Sequence, residues 1–293
     1  MSSRRDFLKF LAGSPLLAGF LPLHESLLQS ADEVISSPAE ALNVLEFEAA
    51  ARKALPPAHF GYMATGVDGD STLKANREGF SHYQLRPRRL VDVSRIDTST
   101  ELFGTTWEAP IVISPVGSQK AFHPEGEIAT ARAAQSKKTL QILSTVATSS
   151  VEDVTKARGA PIWYQLYATN KWDATLKMIK RAEAAGCPVL VFTVDQFGGR
   201  NTETQHVFQR SDTRQCSACH GSPDGPDPAS AAYYRRKPMF DGLNMAGLTR
   251  ATPEMTWDYV KRLKDATPMK LVVKGIVTRE DAALCLENGA VRS

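Results

Sequence analysis

Short apolar runs from residue 139 onward end in polar residues that can do chemistry. Thr139–Ser144 ends in Ser144, Pro161–Tyr167 carries Gln165 and Tyr167, Pro188–Asp195 carries Thr193 and Asp195, and Met269–Lys274 ends in Lys274. Hydroxyls, an amide, a carboxylate and an ammonium can together orient a polar ligand and stabilise charge that develops on it. Lys274 carries the most information, because an ammonium on an apolar strand is costly to bury without a partner. A second cluster is Cys216-Ser-Ala-Cys219-His220. Two thiols and a histidine at this spacing match the c-type haem attachment motif, with a loop disulfide, an inert loop or a partial zinc site as the alternatives.

These residues need elements to position them. Apolar runs alternate with helical patterns at Glu125–Lys137, Ser149–Ala157, Lys171–Ala185, Thr252–Lys264 and Thr278–Glu287. That rhythm predicts βαβ units and a parallel sheet. No G-x-G-x-x-G follows a strand, so a dinucleotide-binding Rossmann domain is not expected. Polar residues at strand carboxyl ends suit the active face of a (β/α)8 TIM barrel, of which about five units can be traced. Residues 196–250 interrupt the rhythm with a Gly-, Pro- and Ser-rich stretch, which reads as a lid-like insertion. Cys187 and Cys285 read as core residues.

The first residues read as an address. Ser3-Arg4-Arg5-Asp6-Phe7-Leu8-Lys9 precedes an apolar stretch from Phe10 to Leu23, which fits a twin-arginine export signal over residues 1–31 and a periplasmic destination. The apolar part falls short of the roughly 20 residues that span a bilayer, so no permanent membrane anchor is expected. Composition agrees with a globular protein: 42% hydrophobic and 23% charged residues exclude a disordered tail, a collagen or a coiled coil. A net charge of +3 leaves no nucleic-acid footprint, and four cysteines in 293 residues are no disulfide scaffold.

Several segments, in order over residues 43–290, resemble the FMN-dependent 2-hydroxy-acid oxidase and dehydrogenase family. They are Leu55-Pro56 through Tyr62 and Gly66, Phe80–Pro87, Ile113–Glu127 with His123-Pro-Glu-Gly-Glu, Leu143–Ser150, Gln165-Leu-Tyr167, Thr193-Val-Asp195 and Leu271–Asp281. The resemblance implies that residues 32–293 form part of such a barrel. It implies that Pro115, Val116 and Gly117 pass along the flavin ring, that Ser144, Gln165 and Thr193 bond its polar edge, and that Lys274 sits where negative charge collects on reduction. It implies that Tyr62 and Tyr167 hold a lactate-like L-2-hydroxy acid and that Asp195 orients a catalytic imidazole. The chain departs from the pattern at Val116-Gly117, where Thr-Ala is usual, and at Val146, where an aromatic is usual. Asn201-Thr202 stands in place of the substrate-gripping lid arginine, with Arg200 the nearest candidate.

The family pattern continues, after a helix like Thr278–Asn288, into a strand that ends in Ser-Asn-His-Gly-Gly-Arg, which carries the base and the carboxylate clamp. This chain reaches Ser293 at that point, so the expectation is a truncated barrel, inactive and poorly stable alone, with two open sheet edges. Electrons would pass to a cytochrome or quinone, and a homo-oligomer is compatible with the family. The rival readings are an isopentenyl-diphosphate isomerase relative, for which Lys274 and Arg200 supply few rim cations, and a non-catalytic flavin-barrel remnant or haem-bearing electron-transfer protein.

Overall fold

The computed structural model describes residues 34–196, 201–214, 233–250 and 255–290. Helices α1 (Glu46–Ala54), α2 (Pro57–Ala64) and α3 (Ser71–Glu78) come first. A hairpin follows, β1 (Thr100–Leu102) with β2 (Thr105–Trp107). Then come β3 (Val112–Ile113), α4 (Gly126–Ser136), β4 (Leu140–Ser144), α5 (Val151–Arg158), β5 (Trp163–Leu166), α6 (Trp172–Ala184) and β6 (Val189–Thr193). After β6 the chain forms α7 (Glu203–Arg210), α8 (Trp257–Ala266), β7 (Lys270–Lys274) and α9 (Arg279–Glu287).

Local chemistry sets many of these boundaries. Glu46 and Glu48 open α1 and Arg52 and Lys53 close it, which suits the helix dipole. Leu55 is extended because Pro56 follows it, and Pro57 opens α2 at a position where its missing N–H costs nothing. The Ser150 hydroxyl accepts from the Asp153 N–H at 3.1 Å at the start of α5, and Gly159 ends that helix at φ +69°. Thr278 caps α9 the same way, accepting from the Asp281 N–H at 3.1 Å.

The contacts divide the chain into two units. The smaller comprises residues up to Gly69 together with Thr202–Asp212. In it α2 packs on α7 so closely that a Cβ at Gly61 would lie 2.6 Å from Phe208 Cβ. The larger comprises Asp70–Asn201 and the residues from Thr213 onward. It is built on a five-stranded sheet in the order β3-β4-β5-β6-β7, each neighbouring pair parallel. Sequential parallel strands with helices between them are successive units of a (β/α)8 barrel, as the sequence pattern predicted.

Alternation along the strands sorts side chains onto two faces. On one, Leu143, Tyr164, Leu166, Leu190, Phe192 and Leu271 pack against helical residues such as Val154, Met178, Ile179 and Leu263. On the other, Leu140, Trp163, Val189 and Val191 enclose Trp107 of the hairpin, with Phe103, Ile142 and Val272 against them. The hairpin therefore plugs the amino-terminal end of the inner face. Its turn runs through Phe103 at φ +52° and Gly104 at φ +85°, and Phe103 stacks 5.4 Å from Trp163.

The hairpin was not expected as an element. Within the lid-like insertion at 196–250 the described residues carry α7 and a 3-10 turn at Pro238–Phe240. The helix expected from Thr252 starts at Trp257, with 251–254 outside the described residues. Cys187 is buried as expected, and burial pushes its thiol up to about 12. Cys285 is only half-buried, a correction that follows from its place on α9, which buries none of its residues fully.

Candidate active site

Parity places the polar strand ends on one face. Leu140-x-Ile142-x-Ser144, Trp163-x-Gln165, Val189-x-Val191-x-Thr193 and Val272-x-Lys274 all step along the inner face, apolar below and polar at the carboxyl end. Register then brings them side by side, with Ser144 opposite Gln165 and Thr193 opposite Lys274. The Gln165 amide donates from Nε2 to Thr193 Oγ1 at 2.9 Å, and the Ser144 hydroxyl accepts from the Val146 N–H at 3.3 Å. Ser144, Gln165 and Thr193 are each at most 2% exposed.

Thr145, which the sequence did not single out, ties this corner together. Its hydroxyl donates to the Gln165 carbonyl at 2.6 Å, accepts from the Tyr167 N–H at 2.9 Å, and lies 3.0 Å from the Tyr164 hydroxyl. Burial pushes the Tyr164 phenol well above its usual range, so it stays neutral as a bonding partner. Thr145 thereby fixes the backbone that carries both Gln165 and Tyr167.

Asp195 and Lys274 sit on the neighbouring strand ends, 3.7 Å apart and 49% and 42% exposed. This corrects the expectation of a buried ammonium on β7: Lys274 is half in solvent and has a carboxylate beside it. Gly275 makes the approach geometrically allowed. It adopts φ +106°, and a Cβ there would lie 2.8 Å from both Asp195 Cβ and Asp195 Cγ.

Pro115, Val116 and Gly117 follow β3. Val116 is 43% exposed, whereas Gly117 is buried against the loop after β4. A Cβ at 117 would lie 2.6 Å from Val146 Cγ2, so the two departures from the family pattern are packed against each other. The Ser118 N–H donates to the Val146 carbonyl at 3.0 Å. Beneath these loops Glu127 is fully buried, and its carboxylate accepts from the Gln119 N–H at 3.1 Å, the Thr148 N–H at 2.8 Å and the Thr148 hydroxyl at 2.8 Å. The role of Glu127 within His123-Pro-Glu-Gly-Glu is thus to pin two loops.

Sequence reasoning also missed Arg250. Its guanidinium lies 5.2 Å from the Tyr167 ring centroid and donates from Nε to the Tyr234 hydroxyl at 2.8 Å. It comes from the Gly- and Pro-rich stretch, where no periodicity marks a functional position. Tyr62 lies on α2 in the smaller unit. Arg200, Cys216, Cys219, His220 and the leader with Arg4 and Arg5 lie outside the described residues. Among the described residues no cluster of His, Cys, Asp and Glu suits a metal ion, and no helix is long and apolar enough to cross a membrane.

A family model described as FMN-dependent dehydrogenase matches residues 51–291. A peroxisomal (S)-2-hydroxy-acid oxidase of Oryza sativa subsp. japonica is 36% identical over 254 residues, covering 85% of this chain and 66% of that protein. Glycolate oxidase 1 of Oryza sativa subsp. indica is 34% identical over 266 residues, covering 86% of this chain and 66% of that protein. The chain thus spans 66% of the length of these two relatives. A crystal structure of mandelate oxidase superposes with a TM-score of 0.69 at 29% identity, covering 85% of this chain and 67% of that one.

Proposed function

The chain belongs to the FMN-dependent dehydrogenase family, and from that premise we propose that its inner rim holds FMN and serves the oxidation of a small 2-hydroxy acid to the 2-oxo acid. One observation carries this reading: Ser144, Gln165, Thr193 and Lys274 line up on a single face at the carboxyl ends of adjacent parallel strands.

The donor set fits the group. Gln165 has a second amide N–H beyond the one on Thr193, Ser144 has a hydroxyl hydrogen, and Lys274 has an ammonium, which together suit the nitrogen- and oxygen-rich edge of an isoalloxazine ring. FMN, when bound, supplies the acceptor for the two electrons that leave the substrate. The rim residues bind and position. Lys274 lends positive charge where negative charge gathers. Asp195 is a positioning carboxylate: it stands 3.7 Å from Lys274, and the family pattern gives it the orienting of a catalytic imidazole. Tyr167, its backbone fixed by Thr145, offers a hydroxyl to the substrate; Tyr62 and Arg200 enter the proposal from the family pattern alone, as candidates for its carboxylate. A cytochrome or quinone as final acceptor belongs to the same proposal.

FMN titration of the purified protein tests it, followed by anaerobic addition of L-lactate, glycolate or L-mandelate. The expected outcome is saturable FMN binding that Lys274→Met weakens, and a shift of the visible flavin band as at least one acid binds beside it. Saturable binding that Lys274→Met leaves unchanged would overturn the assignment of the rim. Two sequence motifs support export to the periplasm and covalent haem, through Arg4-Arg5 and through Cys216, Cys219 and His220. The intact mass of the protein from its own host tests both, by loss of the leader and by a gain of one haem.

A further inference from the structure

A cavity of about 240 Å3 beside the loops after β3 and β4 is walled by Ser118, Lys120, Thr148, Tyr233, Arg236 and Lys237. It has room for about eight waters at their liquid volume, the scale of a small anion rather than a cofactor. Three of these walls are cations, and no carboxylate is among the described residues that line it. Among the described residues the one buried acid, Glu127, is engaged by Thr148 and the Gln119 N–H.

Lys237 and the stem of Lys120 are held in place. Lys237 is 3% exposed; its ammonium donates to the Ser118 hydroxyl at 2.6 Å and stands 4.6 Å from the centroid of the Tyr233 ring. A desolvated ammonium attracts anions far more strongly than a solvated one. The stem of Lys120 rests on Gly126, where a Cβ would lie 2.7 Å from Lys120 Cγ, and the Lys120 N–H donates to the Thr148 hydroxyl at 3.1 Å. Ser118 itself adopts φ +58°, a strained conformation for a residue other than glycine, of the kind that gathers at ligand clamps. The exposed Arg236 completes the wall with a planar fork suited to two oxygens at once.

We propose that this cavity binds a small dianionic oxyanion, a phosphate group or a short dicarboxylate. The proposal does not rest on the flavin reading. It assigns the segment around Tyr233–Lys237 a ligand of its own.

Calorimetric titration of the full chain with inorganic phosphate, and separately with malonate, tests this, with and without saturating FMN. Saturable binding of either anion is expected, and the tighter of the two identifies the class. Arg236→Gln should weaken it about tenfold, and Lys120→Gln by a smaller factor; both side chains are exposed, so neither change threatens folding. Lys237→Met, checked for native circular dichroism, should abolish it. Absence of heat with both anions would overturn the proposal, as would binding that survives Arg236→Gln and Lys120→Gln unchanged. Binding that disappears under FMN would place the flavin's own phosphate here and overturn a separate site. Failure of FMN to bind, with anion binding intact, would sink the flavin reading and leave this one standing.

Discussion

The middle of the rim and its β7 corner are built in opposite ways. Ser144, Gln165 and Thr193 are at most 2% exposed and bonded to neighbouring strands and loops. Asp195 and Lys274 are 49% and 42% exposed and 3.7 Å apart. The middle is a hydrogen-bonded network out of water, where each bond counts because an unmade one leaves a buried group unpaired. The corner is a solvated ion pair whose attraction is screened. The difference teaches that conspicuous charges can stand in water with a screened partner, while inconspicuous hydroxyls and amides hold the strand ends in shape.

Four substitutions break or sharpen this contrast. The largest effect is expected at the corner, but from backbone rather than charge. Gly275→Ala combines φ +106° with a 2.8 Å approach to Asp195 and should cost about 3 kcal/mol or more, read as a lowered denaturation midpoint. Thr145→Val keeps the volume and removes the hydroxyl, leaving the Tyr167 N–H and the Tyr164 hydroxyl without it. It should cost about 2–3 kcal/mol by urea unfolding and loosen Tyr167. If it costs nothing, the middle is not the rigid region described here.

Lys274→Met should change stability by less than about 1 kcal/mol, because the pair is exposed, while FMN binding weakens. An equal loss of stability and binding would erase the distinction between the two regions. The smallest effect concerns Glu152, on α5. The Arg181 guanidinium bonded to it at 2.8 Å holds its carboxyl below the ordinary 4.5. Its contribution is therefore present above the unfolded value and is lost as pH falls through the lowered folded value. Glu152 is 49% exposed, so the gap between wild type and Glu152→Gln should be well under 1 kcal/mol at pH 7 and close in acid.

The strands of this sheet were legible because buried parallel strands read as apolar runs, and their carboxyl ends because polar residues interrupt the run at a fixed parity. Thr145 was not, since its role depends on which strand lies beside β4. Lys274 looked buried because Leu271-Val272-Val273 reads as a two-sided strand; among the described residues β7 has a neighbour on one side, and its carboxyl end opens to solvent. The hairpin hid in strands of three residues, with Gly104 its one local signal. Lys237 and Arg250 come from a stretch without periodicity, so only the folded chain brings them to Ser118 and Tyr167.

Gly117 and Val146 set an order on the history of this rim. With Val146 in place, any side chain at 117 meets its Cγ2 at 2.6 Å, and a β-branched residue has little freedom to turn aside. Trimming 146 first removes the obstruction, so Gly117→Ala should destabilise the wild type yet be tolerated after Val146→Ala, a coupling that a double-mutant cycle reads directly. A lineage leaving this pair by single steps would therefore have to change position 146 before 117, and one arriving at it would take those steps in reverse.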